Sequence, residues 1–432
     1  LKASAVTASF CSGQKMATPP RVAIVGGGFA GSLCALVLRS RGAAPVIFDA
    51  GKHSAGGRMG QKRSRTRTDR GVQFIRPPDD LNAFGQALQV LARNGLVKPW
   101  EGRFGLLGSR GGGFLPREVI GDIGLPKLQK SGESATSLAG DGDDFCGFVG
   151  SGSSSSPPLL VGVPSMGAVC EGLCSLATVP VNVRTRVREL RLDHGTWSLL
   201  TQPIDADRDS KERDCESGFQ AVVVATADPT LAAGVVKHIA SLETATDDMA
   251  SKLESLAATL GDLRSKHTKP LCGLSAVFPA GSLSSKLPFD AVGCPTSTHF
   301  QFIVREASKP GRLETEGEEL WTALTTSSYA ESLMKRHTSS KTVADEVAQE
   351  FSRLLAPFFK EGASVPVPLR TSADMWRIGL PKETLGGKEA SISLEPWRLA
   401  ICGDFLRQCT TPLEAAAESG MDAGERVAGW FS

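Results

Sequence analysis

At 432 residues, 41% of them apolar and 22% charged, the chain is long enough for two globular domains with a sizeable core. Its 48 basic and 46 acidic residues leave a formal net charge of +2, a balance that carries no footprint of nucleic acid or an anionic membrane as partner. No uninterrupted apolar run reaches the roughly 18–20 residues of a bilayer-crossing helix, and the ten cysteines lack the CxxC spacing of a metal cage, so they read as buried thiols in a reducing compartment.

The first twenty residues, "LKASAVTASFCSGQKMATPP", are rich in Ser, Thr, Ala and Lys and hold no acid. This composition reads as an organellar presequence, plastid favoured over mitochondrion, or as a plain N-terminal tail on a cytoplasmic protein.

Arg21–Val25 is a short β-branched run that predicts a buried parallel strand. Gly26, Gly28 and Gly31 follow in GxGxxG spacing, and residues 32–40 then carry apolar side chains at helical intervals. Each glycine has its reason: Gly26 for a tight turn, Gly28 for close approach of a pyrophosphate, Gly31 for packing of helix on strand. The phosphates of a dinucleotide then sit on the helix N-terminus, which makes Gly26, Gly28, Ala30 and Gly31 candidate contacts. A second strand, Pro45–Phe48, ends at Asp49, placed to grip a ribose hydroxyl pair. An acid there disfavours a 2′-phosphate and leaves NAD and FAD both open.

Next come "GGRMG", residues 56–60, and "TDRGVQFI", residues 68–75. Together with the first motif they resemble the extended FAD fingerprint of the flavin amine oxidase superfamily, and the renalase group in particular. Further matching segments follow in order: "VGVPSMGAV" at 161–169, "VNVRTRVRELRLDHGTWSL" at 181–199, "AVVVATADP" at 221–229, "REASKPGR" at 305–312, "MWRIGLP" at 375–381 and "LAICGDF" at 399–405. The resemblance implies an α/β fold with a discontinuous, Rossmann-like FAD-binding domain (21–76, 160–230 and 396–432). It also implies a mixed-sheet substrate domain (77–159 and 231–395).

For the cofactor, the resemblance implies Gly57 and Arg58 along the pyrophosphate, a guanidinium fork being matched to phosphate oxygens. It implies backbone contacts from Val187 to the adenine and from Ala415 to the flavin, with Asp404 on the ribityl hydroxyls or pyrophosphate; a turn or N-cap aspartate is the alternative for Asp404. The helix after Pro412 is expected to point its N-terminus at the flavin, where a helix dipole stabilises negative charge.

In the substrate domain, the stretches "DLNAFGQALQVLARNGLV" and "ADEVAQEFSRLLAPFF" have helical periodicity, while "STHFQFIVREAS" and "LWTALTTSS" read as strands. Two insertions stand out. Residues 128–158 are polar and rich in Gly and Ser, the composition of a loop. Residues 244–266 place Met249, Leu253, Leu256, Leu260 and Leu263 on one helical stripe, either docked on its own domain or offered to a protein partner.

A flavin enzyme of the resembled class takes a hydride from a small-molecule substrate onto flavin N5 and passes the electrons on, with oxygen the usual acceptor. No HExxH, GxSxG or paired-carboxylate motif suggests hydrolysis or a metal. A single tyrosine, Tyr329, rules out an amine cage of two tyrosines. Gln73 and Trp376 are the pocket candidates, with a buried core role the alternative for Trp376; Trp321 is assigned to the core. Lys52, Arg58, Lys62, Arg63, Arg65, Arg67, Arg70 and Arg76 form a basic stretch. It is either a solvated face or a pocket rim suited to an anionic substrate such as a dihydronicotinamide nucleotide, the substrate type of renalases. A fold of this kind retained as a structural or assembly subunit without turnover is the alternative function.

Overall fold

Val22 to Val25 are all buried, which is what an apolar strand covered on both faces requires. In the computed structural model this strand, Arg21–Val25, lies inside a six-stranded sheet. The order is Ile392–Leu394, Leu399–Ile401, Ala221–Val224, Arg21–Val25, Ala44–Phe48 and Val181–Asn182. All neighbours are parallel except the hairpin at the edge, Ile392–Leu394 with Leu399–Ile401. The structure describes residues 18–63, 67–78, 80–108, 113–117, 158–205, 214–266, 268–313, 315–360 and 364–432. The presequence reading of the N-terminal extension and nearly all of the 128–158 insertion fall outside these residues.

Helix Phe29–Ser40 covers one face of the sheet together with the closing helix Pro412–Gly429. The two run close because Gly420 has no side chain: a Cβ there would lie 2.1 Å from the Ala30 carbonyl oxygen. On the other face sits a three-stranded meander, Thr185–Asp193, Thr196–Pro203 and Asp214–Phe219, with Trp197 fully buried in its core. The sequence "VNVRT" reads as one strand, but the chain breaks it. Val181–Asn182 joins the parallel sheet, Arg184 turns with a φ of 58°, and Thr185 starts the meander.

The second sheet has seven strands in the order Arg370–Pro381, Thr268–Pro279, Glu318–Thr325, Phe300–Arg305, Ala291–Gly293, Phe104–Leu107 and Phe114–Pro116. It is mixed, with only the Ala291–Gly293 and Phe104–Leu107 pair parallel. Period-two alternation divides its faces. Ile303, Ala323 and Trp321 pack with helices Ser327–Arg336 and Ser340–Leu355, while Phe302, Val304 and Leu324 join a core that includes Phe29, Met59 and Met166. That second core seats the sheet over the first glycine turn. Trp321 is a core residue, as its sequence context indicates.

Residues 244–266 contain helix Asp247–Lys266, with Asp247 and Asp248 in the first turn, where the helix dipole favours acids. Its stripe is used within the chain. Leu253, Leu260 and Leu263 are buried in one core with Val235, Val236 and Ile239 of helix Thr230–Ala240, and Met249 and Leu256 pack against it. Each buried leucine contributes roughly 1.5–3 kcal/mol, so Leu253, Leu260 and Leu263 dock this helix on its own domain. Among the described residues no helix is long and apolar enough to cross a membrane.

Candidate functional site

A cleft of about 1050 Å³ opens at the carboxyl edge of the parallel strands, where ligands of open α/β sheets bind. The strand Arg21–Val25 delivers Gly26, whose φ of +105° only glycine adopts readily, into a turn tight against the Ala225 carbonyl oxygen. Two residues on, a Cβ at Gly28 meets no atom within 4 Å, so this backbone faces open cleft. Gly31 is the opposite case, since a Cβ there would lie 2.0 Å from the Gly26 carbonyl oxygen. The three glycines thus divide into turn, open approach and packing. Gly28 is the N-cap of the following helix, with no side chain bonded across its end and no acid in its first turn. The positive end of the dipole is left for a ligand anion.

Asp49 lines the same cleft, with Oδ2 accepting from the Gly27 amide at 2.7 Å and Oδ1 from the Gly51 amide at 2.6 Å. Burial raises its pKa, and the two amides pull it back only in part. Each oxygen keeps lone-pair capacity for a further donor.

The second glycine turn, Gly56–Gly57, comes up against the first: a Cβ on Gly57 would be 3.5 Å from the Gly28 Cα. It projects Arg58, whose guanidinium holds Asp404 at 2.7 Å with both prongs and the Gly379 carbonyl at 2.9 Å. Arg58 and Asp404 both line the cleft, next to Pro412 and Leu413 at the start of the closing helix. There the Thr411 hydroxyl caps the Glu414 amide, and Ala415 donates its amide to the Thr411 carbonyl.

Of the residues marked in the sequence, Gly26, Gly28, Ala30, Asp49, Gly57, Arg58, Val187 and Asp404 line this one cleft. Gly31 and Ala415 do not. Gly31 is a packing residue, and Ala415 is buried with its amide already used inside the helix. Leu413 instead lines the cleft from the first turn, where Pro412 has no N–H and Glu414 is capped.

Gln73 and Trp376 line a smaller adjoining cavity of about 150 Å³, whose wall shares Arg58, Val72, Leu380, Pro412 and Leu413 with the main cleft. Gln73 has little freedom there. Its Nε2 donates to the Asp69 carbonyl at 2.9 Å, and its Oε1 accepts from Lys309 Nζ at 2.6 Å and Thr322 Oγ1 at 3.1 Å. Lys309 also donates to Asp69 Oδ2 and Glu306 Oε1 at 3.0 Å each, and Arg312 pairs with the same two carboxylates. Burial works to raise the Asp69 pKa, but Lys309 and Arg312 outweigh it and hold Asp69 low; for Glu306 burial prevails and the pKa is raised. Four buried charges, two of each sign, therefore fix Gln73 from behind.

Trp376 is not simply core. It lines the cavity, Arg70 stacks over its ring at 5.4 Å, and its Nε1 is buried without a partner among the described residues. In the basic stretch, Arg58 and Arg76 line the small cavity, Arg70 pairs with Asp374, and the side chains of residues 62–67 lie outside the described residues. Sequence reasoning missed Gln301, a polar residue between Phe300 and Phe302 that lines the small cavity, and His238 and Arg264, which line the large one. Gln301 carried a signal, as a polar break in an apolar strand. His238 carried none, since nothing in its helix marks which face meets the cleft.

The model of a family described as NAD(P)-binding Rossmann-like domain matches residues 24–91. No curated protein matches the chain by sequence. Among solved structures, cyclohexylamine oxidase from Brevibacterium oxydans IH-35A aligns over 95% of this chain and 99% of its own at a TM-score of 0.60 and 12% identity. A wild-type putrescine oxidase bound to putrescine aligns over 94% and 98% at a TM-score of 0.59 and 12% identity. A protein from Exiguobacterium sp. 255-15 carrying a provisional protoporphyrinogen oxidase assignment aligns over 95% and 99% at 0.60 and 12%. The fold is thus α/β and amine-oxidase-like, a Rossmann-like part joined to a mixed-sheet part.

Proposed function

We propose that the chain is an FAD-dependent oxidoreductase acting on a small molecule. The observation that carries this reading is the cleft itself. It runs without a filling side chain from the open backbone of Gly28 to the first turn of the closing helix, and there meets a second, smaller cavity. When bound, FAD supplies a two-electron acceptor that no side chain provides.

The residues present fit that group. Gly26, Gly28 and Ala30 with the free helix end, together with Gly57 and Arg58, would hold the pyrophosphate. Asp49 would take the ribose, Val187 the adenine by its backbone, and Asp404 the ribityl hydroxyls. Leu413, at the positive end of the closing helix, would face the flavin in place of Ala415. Gln73, locked by Lys309, would give the substrate cavity a fixed wall, and Trp376 would give it a flat one. Val72, Leu271, Phe302 and Leu324 keep that cavity apolar, which excludes water from the reacting atoms.

Arginines 58 and 76 line the small cavity and, among the described residues, no Asp or Glu does, which supports a neutral or anionic substrate of the dihydronicotinamide type, as in renalases, over a cationic amine. Oxygen is the proposed acceptor. The test is spectroscopic: purified protein should be yellow and bleach anaerobically with a dihydronicotinamide nucleotide, then recover its colour in air. A colourless protein, or one inert to both dihydronicotinamides and amines, sinks the enzyme reading and leaves the scaffold.

A further inference from the structure

Gly273 sits inside the long strand Thr268–Pro279, and a Cβ there would lie 2.7 Å from the Arg70 carbonyl oxygen. A glycine in a strand interior marks a place where another backbone comes close. Here it admits Arg70 onto one face of the seven-stranded sheet. On that face Leu271 stands opposite Trp376 and Gly273 opposite Asp374, since side chains two apart on a strand point the same way. Arg70 uses both partners across the sheet. Its Nη2 donates to Asp374 Oδ1, and the carbon of its guanidinium lies 5.4 Å from the centre of the Trp376 ring, within the reach of a cation–π contact. Leu271 and Trp376 line the small cavity while Arg70 does not, so the arginine's charge reaches that cavity through the indole.

We propose that Arg70, acting through Trp376, makes the small cavity select a neutral flat ring over a cationic one. The inference rests on the reading above, in which this cavity takes the substrate, and it adds a positioning residue that does not itself touch that substrate. A bare indole face attracts cations, but a guanidinium held on one side of Trp376 already occupies that field and repels a second cation on the other. A neutral ring stacks on the indole without this penalty. Asp374 and the 37% exposure of the Arg70 side chain weaken the repulsion without cancelling it. The selection has a direction. A dihydropyridine enters as a neutral ring, and once its hydride, with both electrons, has passed to flavin N5 it is a pyridinium cation. Arg70 therefore favours the ring that has still to react and disfavours the ring that has to leave.

The experiment is equilibrium dialysis of the full-length protein against benzamide, a neutral flat ring, and against the N-methylated nicotinamide cation, a charged ring of similar shape. Wild type should hold benzamide the more tightly. Arg70→Met should tighten the cation about tenfold and leave benzamide within about twofold, while Arg70→Lys, which keeps the charge, should keep the wild-type preference. An unchanged ratio of the two affinities in Arg70→Met overturns the proposal. Equal weakening of both rings overturns it as well, since the arginine would then only brace the indole. So does a wild-type protein that binds neither ring, or binds the cation as well as benzamide. Dialysis does not depend on colour, so a colourless protein sinks the flavin reading while the ratio still decides the part played by Arg70.

Discussion

Arg58 and Asp404 stand 346 positions apart in the chain and meet prong to prong, Nη1 to Oδ2 and Nη2 to Oδ1 at 2.7 Å each. The pair ties the second glycine turn to the strand-end Gly403–Asp404, both of which line the cleft. Burial lowers the Arg58 pKa, but the Asp404 carboxylate more than offsets this and leaves it raised, so the arginine stays charged at any working pH. Asp404 is only 3% exposed, so loss of its partner leaves a buried carboxylate. Arg58→Met should therefore cost about 3 kcal/mol in urea unfolding and lower the flavin content of purified protein. The double variant Arg58→Met/Asp404→Leu should regain most of the stability and none of the flavin. Full flavin content in the double variant would show that the pair is purely structural.

The glycines of the first turn separate folding from binding. Gly28 has a φ of −69° and a ψ of −174°, backbone open to any residue, and space where its Cβ would be. Gly28→Val should melt within a few degrees of wild type and retain no FAD. Gly31→Ala drives a methyl into the Gly26 carbonyl oxygen and should cost about 1–3 kcal/mol or more whether or not flavin is present. Differential scanning calorimetry with flavin absorbance on the same samples reads both. The reverse pattern, a collapsed Gly28→Val and an intact Gly31→Ala, is incompatible with a phosphate cradle at Gly28.

What the sequence made legible follows from what local physics specifies. The strand–glycine–helix–strand–acid order of residues 21–49 is a local code, and the folded chain places Gly26, Gly28 and Asp49 along one cleft as that code requires. Arg58 and Asp404 were legible one by one but not as a pair, because pairing across 346 positions is a property of the sheet order and not of either neighbourhood. Ala415 lies two residues past Leu413, which lines the cleft, and its amide is taken by the Thr411 carbonyl, a bond that helix periodicity alone does not reveal. The break at Arg184 hid inside a uniformly strand-like run, where a left-handed residue leaves no compositional trace. Gln73 was read as a pocket residue; of the groups that immobilise it Asp69 lies four residues away, but Lys309 and Thr322 come from distant segments.

Asp49 gives a pH test of the ribose site. Its pKa is raised in the folded protein by burial, so the folded state holds the proton more tightly than the unfolded chain. The associated stability is fully present below the ordinary aspartate value of 3.8 and is lost as pH rises through the folded value. Asp49→Asn removes that loss. Without flavin, the variant should gain on wild type as pH is taken from below 3.8 to neutrality, measured by urea unfolding at each pH. With flavin the order should invert at neutral pH, because each charged hydrogen bond to a ribose hydroxyl is worth about 1.5–3 kcal/mol. Equal FAD affinity in the two proteins counts against a ribose at Asp49.

Lys309 tests the buried network behind Gln73. It is fully buried and donates to Asp69, Glu306 and Gln73 at once, balancing with Arg312 the two carboxylates. Lys309→Met leaves two carboxylates facing one guanidinium and should cost about 3–5 kcal/mol at neutral pH. Glu306 is the group that can relieve this, since burial already raises its pKa above the ordinary 4.5 and loss of the ammonium raises it further. An acid with a raised folded pKa contributes stability that is complete below its unfolded value and disappears as pH rises through the folded one. The deficit of Lys309→Met should accordingly shrink as pH falls toward 4.5 and grow above it. Adding Glu306→Gln to the variant should flatten that slope while a substrate pocket walled by an unlocked Gln73 still shows a raised KM. A deficit that is the same at every pH would mean that Lys309 acts without coupling to the Glu306 carboxyl.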